Sequence, residues 1–450
     1  MDRRFGAEGR DDSWSSEVDV LLVRDDHFKR YGSSFGASME SYQNWDGVVI
    51  GIWVGISLSS SLWALFTWLA ETREDAIAES HGGLRLFGIL GLVCLTCWGF
   101  CAQLAVWREA RVNYAAVFGI PRRWFPRTDR MILFTARSTT IYFVSMIAFL
   151  KLLQNGYLGA NWIPLMLMTI VIFLTIVAVA SMNVSVRAIC IGFSGIGERS
   201  FLMGYTCDYA TSTARIGCSM ARVGCDLLQP NPLKNLAHGS SICEQSLVVN
   251  EVVVPILMCW PLWVRFLQSL FLLYETNELK YALNALKYAL SNLIVITTTF
   301  DTTIGFWVFE WCFVGTSFFS FVWDVKMDWG LNFCHLRDRL HYPEKWYHMA
   351  ISADFLMRIV WSLTLINNWH WRYEFGWLLQ LFGALEIVRR SFWGIIRVEQ
   401  EHITKRHAAL TPLLPLADGA YSSFFAVFVE LVAISIFTLT FYMFVGHLSK

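Results

Sequence analysis

The segment Glu374–Ile396, EFGWLLQLFGALEIVRRSFWGII, is long and apolar enough to cross a bilayer, yet it holds Glu386, Arg389 and Arg390 in its interior. A charged side chain at the bilayer centre costs at least about 2.5–3.5 kcal/mol on insertion scales, so such groups face a bundle interior and pair with one another or with a ligand. The three stand at i, i+3 and i+4 and therefore share one helix face, where Glu386 holds an arginine fork in place while no anion is bound. The preceding apolar segment, Tyr347–Ile366, carries a similar stripe of Asp354, Arg358, Trp361 and Ser362. Arg358, Arg389 and Arg390 are thus candidate anion ligands, because a guanidinium stays charged and meets a tetrahedral oxyanion through two parallel hydrogen bonds.

Composition agrees with a membrane setting. The chain of 450 residues is 55% hydrophobic and 16% charged, with 34 Phe and 21 Trp, and its mean hydropathy is +0.44. That is more apolar surface than a soluble fold of this length buries. We read an all-α, polytopic integral membrane protein of about ten or eleven transmembrane helices embedded in the lipid bilayer. The balance of 36 basic and 36 acidic side chains argues against nucleic acid as a partner. No cofactor is implied. Cys94, Cys97 and Cys101 sit mid-span and read as small buried apolar residues rather than a redox or zinc motif.

Residues 1–46 are polar and expected to be disordered. Spans follow at Gly47–Ala70, Leu86–Trp107, Ile132–Gln154 and Trp162–Ser181, a four-helix region over 47–186. Phe201–Leu228 places Asp208, Arg215 and Arg222 seven residues apart on one face, which fits either a helix lining a polar interior or one lying in the interface. Val248–Leu273, Leu283–Phe300, Thr303–Trp323, Tyr347–Ile366 and Glu374–Ile396 complete a second region over 187–407. Within 408–450, Tyr421–Val445 reads as an eleventh span, a packing element or an interfacial helix.

Loop charge orients the map. Arg108, Arg111, Arg122, Arg123, Arg127, Arg130 and Arg137 crowd one connection, which the positive-inside rule makes cytosolic, and the N-terminus with it. Alternation then puts Lys326, Arg337, Arg339, Lys345, Arg397, Lys405 and Arg406 on the same side. The sequon Asn183-Val184-Ser185 falls at a cytosolic end and is expected to be unmodified.

Trp323–Leu331 reads WDVKMDWGL, and with it stand Arg265-Phe266-Leu267-Gln268, Asn284–Tyr288 (NALKY), Tyr342-Pro343, Arg358 with Trp361, Leu385–Phe392 (LEIVRRSF) and Glu399–His402 (EQEH). Over about Phe201–His402 the chain resembles the EXS family, the membrane module of eukaryotic phosphate exporters. The resemblance implies six helices enclosing a path for inorganic phosphate, with Arg358, Arg389 and Arg390 as ligands and Glu386, Asp354 and Asp324 near them. It also points to Lys287 and Tyr288 as phosphate-binding groups, and to Asp208 as lining the path. Lys287 otherwise reads as snorkelling from a helix end, Arg265 as an interfacial anchor, and Lys326 and Asp328 as a solvated turn. Counting Asp354, Glu386 and the three arginines leaves one positive charge for a phosphate to compensate.

The 46 residues before the first span are too few for the SPX sensor of larger exporters, so the resemblance points to the short form. After Asp208, Thr211 stands where those exporters have a donor, and Ala214 where they have a serine. In short members the resemblance implies export of glycosylation-derived phosphate from the Golgi lumen to the cytosol, by a channel-like path or by alternating access, with a homodimer as a common assembly. A plasma-membrane exporter is the alternative address, and a retention factor for glycosyltransferases or ER luminal proteins the alternative function. An enzyme is not expected: His335, His341, His348 and His370 form no HxxH or HxxxH pair, and no GxSxG occurs.

Overall fold

The computed structural model describes residues 47–68, 81–120, 127–155, 158–181, 201–229, 243, 246–299, 306–332, 336–337, 339–366 and 376–407, and every regular element among them is helical. The helices are α1 (Gly47–Trp68), α2 (His81–Glu109), the short α3 (Tyr114–Phe118), α4 (Thr128–Gln154), α5 (Trp162–Ser181), α6 (Phe201–Leu228), α7 (Val254–Thr276), α8 (Leu279–Thr299), α9 (Phe306–Trp323), α10 (Glu344–Ile366) and α11 (Gly376–His407). Each of the ten predicted spans up to Ile396 coincides with one of the long helices. Tyr421–Val445, the N-terminal 46 residues and the sequon at Asn183 lie outside the described residues.

Among the described residues, Gly47–Trp68, Gly83–Glu109, Thr128–Leu153 and Val248–Thr276 are long and apolar enough to cross a membrane by length and composition alone. Apolar side chains point outward from them, with Phe66, Phe134, Ile141 and Ile256 more than half exposed. Such a surface is stable only against hydrocarbon. The chain is an all-α membrane protein.

Two π-helical turns interrupt the regular ladder. Val248–Val253 leads into α7, whose first turn takes Pro255. Asp324–Asp328 extends α9 and is closed by the Trp329 N–H donating to the Asp324 carbonyl at 2.9 Å. A π turn re-aims the side chains it carries, and such turns recur at functional sites. Gly330 ends this one at φ +61°, a conformation that a side chain makes costly.

The largest core cluster lies at one end of the bundle, built from Trp107, Val325, Trp329, Tyr347, Trp393 and Val398. There α2 is tied to α11. Gln103 is wholly buried, donates to the Tyr209 hydroxyl (2.6 Å) and the Ser391 carbonyl (2.8 Å), and accepts from Tyr205 (2.9 Å). Gly394 permits this approach, since a Cβ there would stand 2.3 Å from Gln103 Nε2 and 2.5 Å from the Tyr205 hydroxyl. Lys405 at the end of α11 donates to the Val117 carbonyl at 2.7 Å, so the α2–α4 connection and the C-terminal end of α11 share one face of the bundle.

The opposite end holds the Arg85–Asp226 ion pair at 3.6 Å and a disulfide, Cys225–Cys243, that sequence reading did not foresee. Cys94, Cys97 and Cys101 lie along α2, and the Cys101 thiol sits 3.3 Å from the Thr135 hydroxyl. α6 is an interior helix rather than an interfacial one. It packs against α2, α7 and α11 and buries Asp208, Ser212 and Asp226.

Candidate functional site

α11 brings the decisive charges into the bundle because its arginines follow Glu386 by three and four residues. Arg389 donates to both Glu386 oxygens, Nε to Oε2 at 2.9 Å and Nη2 to Oε1 at 2.6 Å. Its remaining nitrogen, Nη1, meets Asp354 of α10 at 3.0 Å and Asp324 of the π turn at 3.3 Å. Arg358, one helical turn after Asp354 on α10, pairs with Asp354 at 3.2 Å and donates to Asp324. Five charged groups from three elements are thereby locked into one net, in which Asp324 joins the two arginines. Each carboxylate in it is paired, as a buried charge must be.

Arg390 stands apart from that net. It is 8% exposed, its Nε donates to Ser212 Oγ at 2.8 Å, and its guanidinium lies over the Trp393 ring at 4.6 Å. Ser212 in turn donates to Glu386 Oε1 at 2.6 Å, so one hydroxyl of α6 positions both an acid and a base of α11. Ser212, one residue beyond Thr211, stands in no sequence motif, and only the packing of α6 on α11 gives it this place.

Lys287 is the second isolated cation. It lies in the third turn of α8, is 7% exposed, and rests its ammonium over the rings of Tyr288 at 4.6 Å and Trp323 at 4.9 Å. Among the described residues no carboxylate ion-pairs with Lys287 or with Arg390. The snorkelling expectation for Lys287 fails because α8 begins four residues before the predicted Leu283, at Leu279, and so buries this position deeper.

Tyr288 donates to Asp208 Oδ1 at 2.8 Å, and Arg265 Nε approaches the same oxygen at 2.9 Å. Arg265 is therefore not an interfacial anchor. It is buried against Asp208, Tyr288 and Gln268, the last at 2.6 Å, and fixes the α6–α7–α8 corner. Of the turn expected to be solvated and salt-bridged, Lys326 is exposed, while Asp328 is half-buried, faces Arg397 at 3.7 Å and accepts from Trp393 Nε1 at 3.1 Å. Thr211 donates its hydroxyl back to the Asp208 carbonyl at 2.7 Å.

These groups surround a cavity of about 150 Å³. Its wall includes Lys287, Arg358, Arg389 and Arg390, opposed by Asp208, Asp324 and Asp328, with Thr211, Tyr288, Ser291 and Ser320 adding hydroxyls. Of the candidate residues read from sequence, Arg358, Arg389, Arg390, Lys287, Tyr288, Asp208, Thr211 and Asp324 line it. Asp354, Glu386 and Arg265 stand behind the wall as counter-ions. Trp361 lies on α10, and its side chain falls outside the described residues. Among the described residues no cluster of His, Cys, Asp and Glu has the geometry of a metal site.

The chain resembles proteins from distant eukaryotes. It is 26% identical over 391 residues to an SPX and EXS domain-containing protein of Dictyostelium discoideum, covering 79% of this chain and 41% of the relative. It is 27% identical over 354 residues to phosphate transporter PHO1 homolog 10 of Arabidopsis thaliana, covering 71% and 43%. With human solute carrier family 53 member 1 it shares 26% over 191 residues, covering 38% and 27%. The chain spans less than half the length of each of these relatives. The model of the EXS family matches residues 84–403, so α2 to α11, including every residue of the cavity, fall within it, and the chain belongs to the EXS family.

Proposed function

We propose that this chain moves inorganic phosphate across its membrane through the α6–α11 cavity. The observation that carries the reading is a pair of buried cations, Lys287 of α8 and Arg390 of α11, that line one cavity and form no direct ion pair among the described residues. Burying a cation without a carboxylate is costly, and the ring contacts offset only about 0.5–2 kcal/mol of that. A bound oxyanion supplies the direct partner that the wall carboxylates, which face these cations at longer range, do not. The relatives named as phosphate transporters support phosphate as that anion. The same relatives favour transport over catalysis as the role of this cavity.

The finer reading is export from the Golgi lumen to the cytosol, with the N-terminus cytosolic. The disulfide supports the orientation. Such bonds persist in oxidising compartments, which supports a luminal or extracellular side for the Cys225–Cys243 end. The arginine-rich α2–α4 connection then faces the cytosol, in line with its charge.

Radiolabelled phosphate flux in proteoliposomes tests the function. Wild type is expected to conduct, and Lys287→Met and Arg390→Ala, each verified as folded by its melting curve, to lose at least tenfold. Folded wild-type protein without flux would sink the transport reading and favour a retention role.

A further inference from the structure

Three carboxylates in the wall of an anion cavity need an explanation, because charge alone would exclude them. Asp208 and Asp324 are the informative ones. Each lies in contact with a guanidinium, and each spends one oxygen on its partners. Oδ1 of Asp208 takes Tyr288 and Arg265, while Oδ2 of Asp324 takes Arg358 and Arg389. Among the described residues, Oδ2 of Asp208 and Oδ1 of Asp324 accept no hydrogen bond, although both residues line the cavity with Lys287 and Arg390. An ionised carboxylate beside an oxyanion repels it unless a proton lies between them, in which case it accepts a short, charge-assisted hydrogen bond.

We propose that Asp208 and Asp324 make this cavity a selector for oxyanions that carry a proton. The inference rests on the phosphate reading above and adds the basis of its specificity. Inorganic phosphate near neutral pH bears one or two P–OH groups, so it offers donors to the idle carboxylate oxygens while its charged oxygens meet Lys287 and Arg390. Sulfate has the same shape and charge but no proton, and leaves the two carboxylates facing bare anionic oxygens. Discrimination of this kind is strong, because a site built to accept a hydrogen bond is left with an unpaired buried acceptor when the donor is missing.

Four tetrahedral anions separate protonation from size. Phosphate and arsenate carry protons near neutral pH, whereas sulfate and selenate do not. Displacement of radiolabelled phosphate from the purified full-length chain in detergent is expected at similar concentrations of phosphate and arsenate, and only at concentrations at least tenfold higher of sulfate and selenate. Asp208→Asn and Asp324→Asn, which keep shape but offer an amide donor, are each expected to bring sulfate within about threefold of phosphate. Sulfate and selenate competing as well as arsenate in wild type would overturn the inference while leaving phosphate transport intact. So would full selectivity in both folded asparagine variants. Failure of folded wild type to bind labelled phosphate at all would instead overturn the transport reading beneath it.

Discussion

α11 carries two charged clusters, thirteen residues apart, and they behave differently. Arg389 and Arg390 open onto a cavity with Glu386 behind them, and there Lys287 and Arg390 form no direct ion pair among the described residues. Glu399 and His402, beyond the predicted end of the span at Ile396, are wholly buried and strapped down by the chain before α10. Arg337 pairs with Glu399 and donates to Gln400 at 2.6 Å, the His341 backbone N–H donates to Glu399 at 2.9 Å, and the Tyr347 hydroxyl donates to Glu399 as well. At about 1.5 Å rise per residue the two clusters stand about 20 Å apart, so with the first near mid-membrane the second lies past the hydrocarbon edge. An ion network that opens onto a cavity serves a ligand; one packed beneath a loop, with its carboxylate held by Arg337, His341 and Tyr347, serves the fold.

The comparison breaks most visibly at Arg389. This guanidinium touches Glu386, Asp354 and Asp324, so Arg389→Ala leaves three carboxylates sharing Arg358 and Ser212, and losing one partner of a buried pair costs about 3–5 kcal/mol. We expect Arg389→Ala to fail in folding or melt far below wild type, while Arg390→Ala, which gives up a serine and a ring contact, folds and is silent in flux. Equal melting temperatures for the two variants would contradict the division between keystone and ligand.

Next in size is Tyr347→Phe in the strap. It removes a hydrogen bond to a buried carboxylate, worth about 1.5–3 kcal/mol. The expected result is a lower melting temperature with phosphate affinity unchanged within twofold. A large loss of affinity at unchanged stability would make the strap part of the phosphate path. Ser212→Ala should do the reverse. It deletes the hydroxyl between Glu386 and Arg390, a loss of about 1 kcal/mol, and loosens the one cation that only this hydroxyl and a ring hold. Phosphate affinity is expected to fall about fivefold, with a shift in melting temperature smaller than that of Tyr347→Phe.

The same contrast explains what sequence discloses. The charged trio of α11 was legible because local spacing fixes a helix face and the bilayer makes such charges conspicuous. Helix positions were legible for the same reason. Asp324 as the joint between Arg358 and Arg389 was not, since a π turn re-aims side chains without a signature in residue order. Ser212 was missed because a serine in an apolar helix is common. The strap around Glu399 escaped notice because its partners, Arg337, His341 and Tyr347, come from a loop and a helix start that only the tertiary fold sets against α11. The Cys225–Cys243 bond was equally silent: eleven cysteines scattered through apolar helices give no pairing.

The smallest effect expected concerns His402. Its ring is fully buried, neither nitrogen has a hydrogen-bond partner among the described residues, and the charged or titratable groups acting on it are His341, Arg406 and Glu399. Burial first, and then the neighbouring His341 and Arg406, push its pKa down from 6.5 to about 4. The unfolded chain therefore takes up a proton near pH 6.5 that the folded chain refuses until about pH 4, so stability is complete above 6.5 and falls as the pH drops between those values. Burial alone would raise the Glu399 carboxyl, but the hydrogen bond from His341 and the charge of Arg337 hold it below the ordinary 4.5, adding a second loss only at still lower pH. Thermal unfolding in detergent at pH 7 and pH 5 is expected to show a drop of a few degrees in wild type that His402→Asn flattens. Phosphate affinity at pH 7 should be the same in both, because the imidazole belongs to the closed cluster; an equal pH slope in the variant would remove His402 from that role.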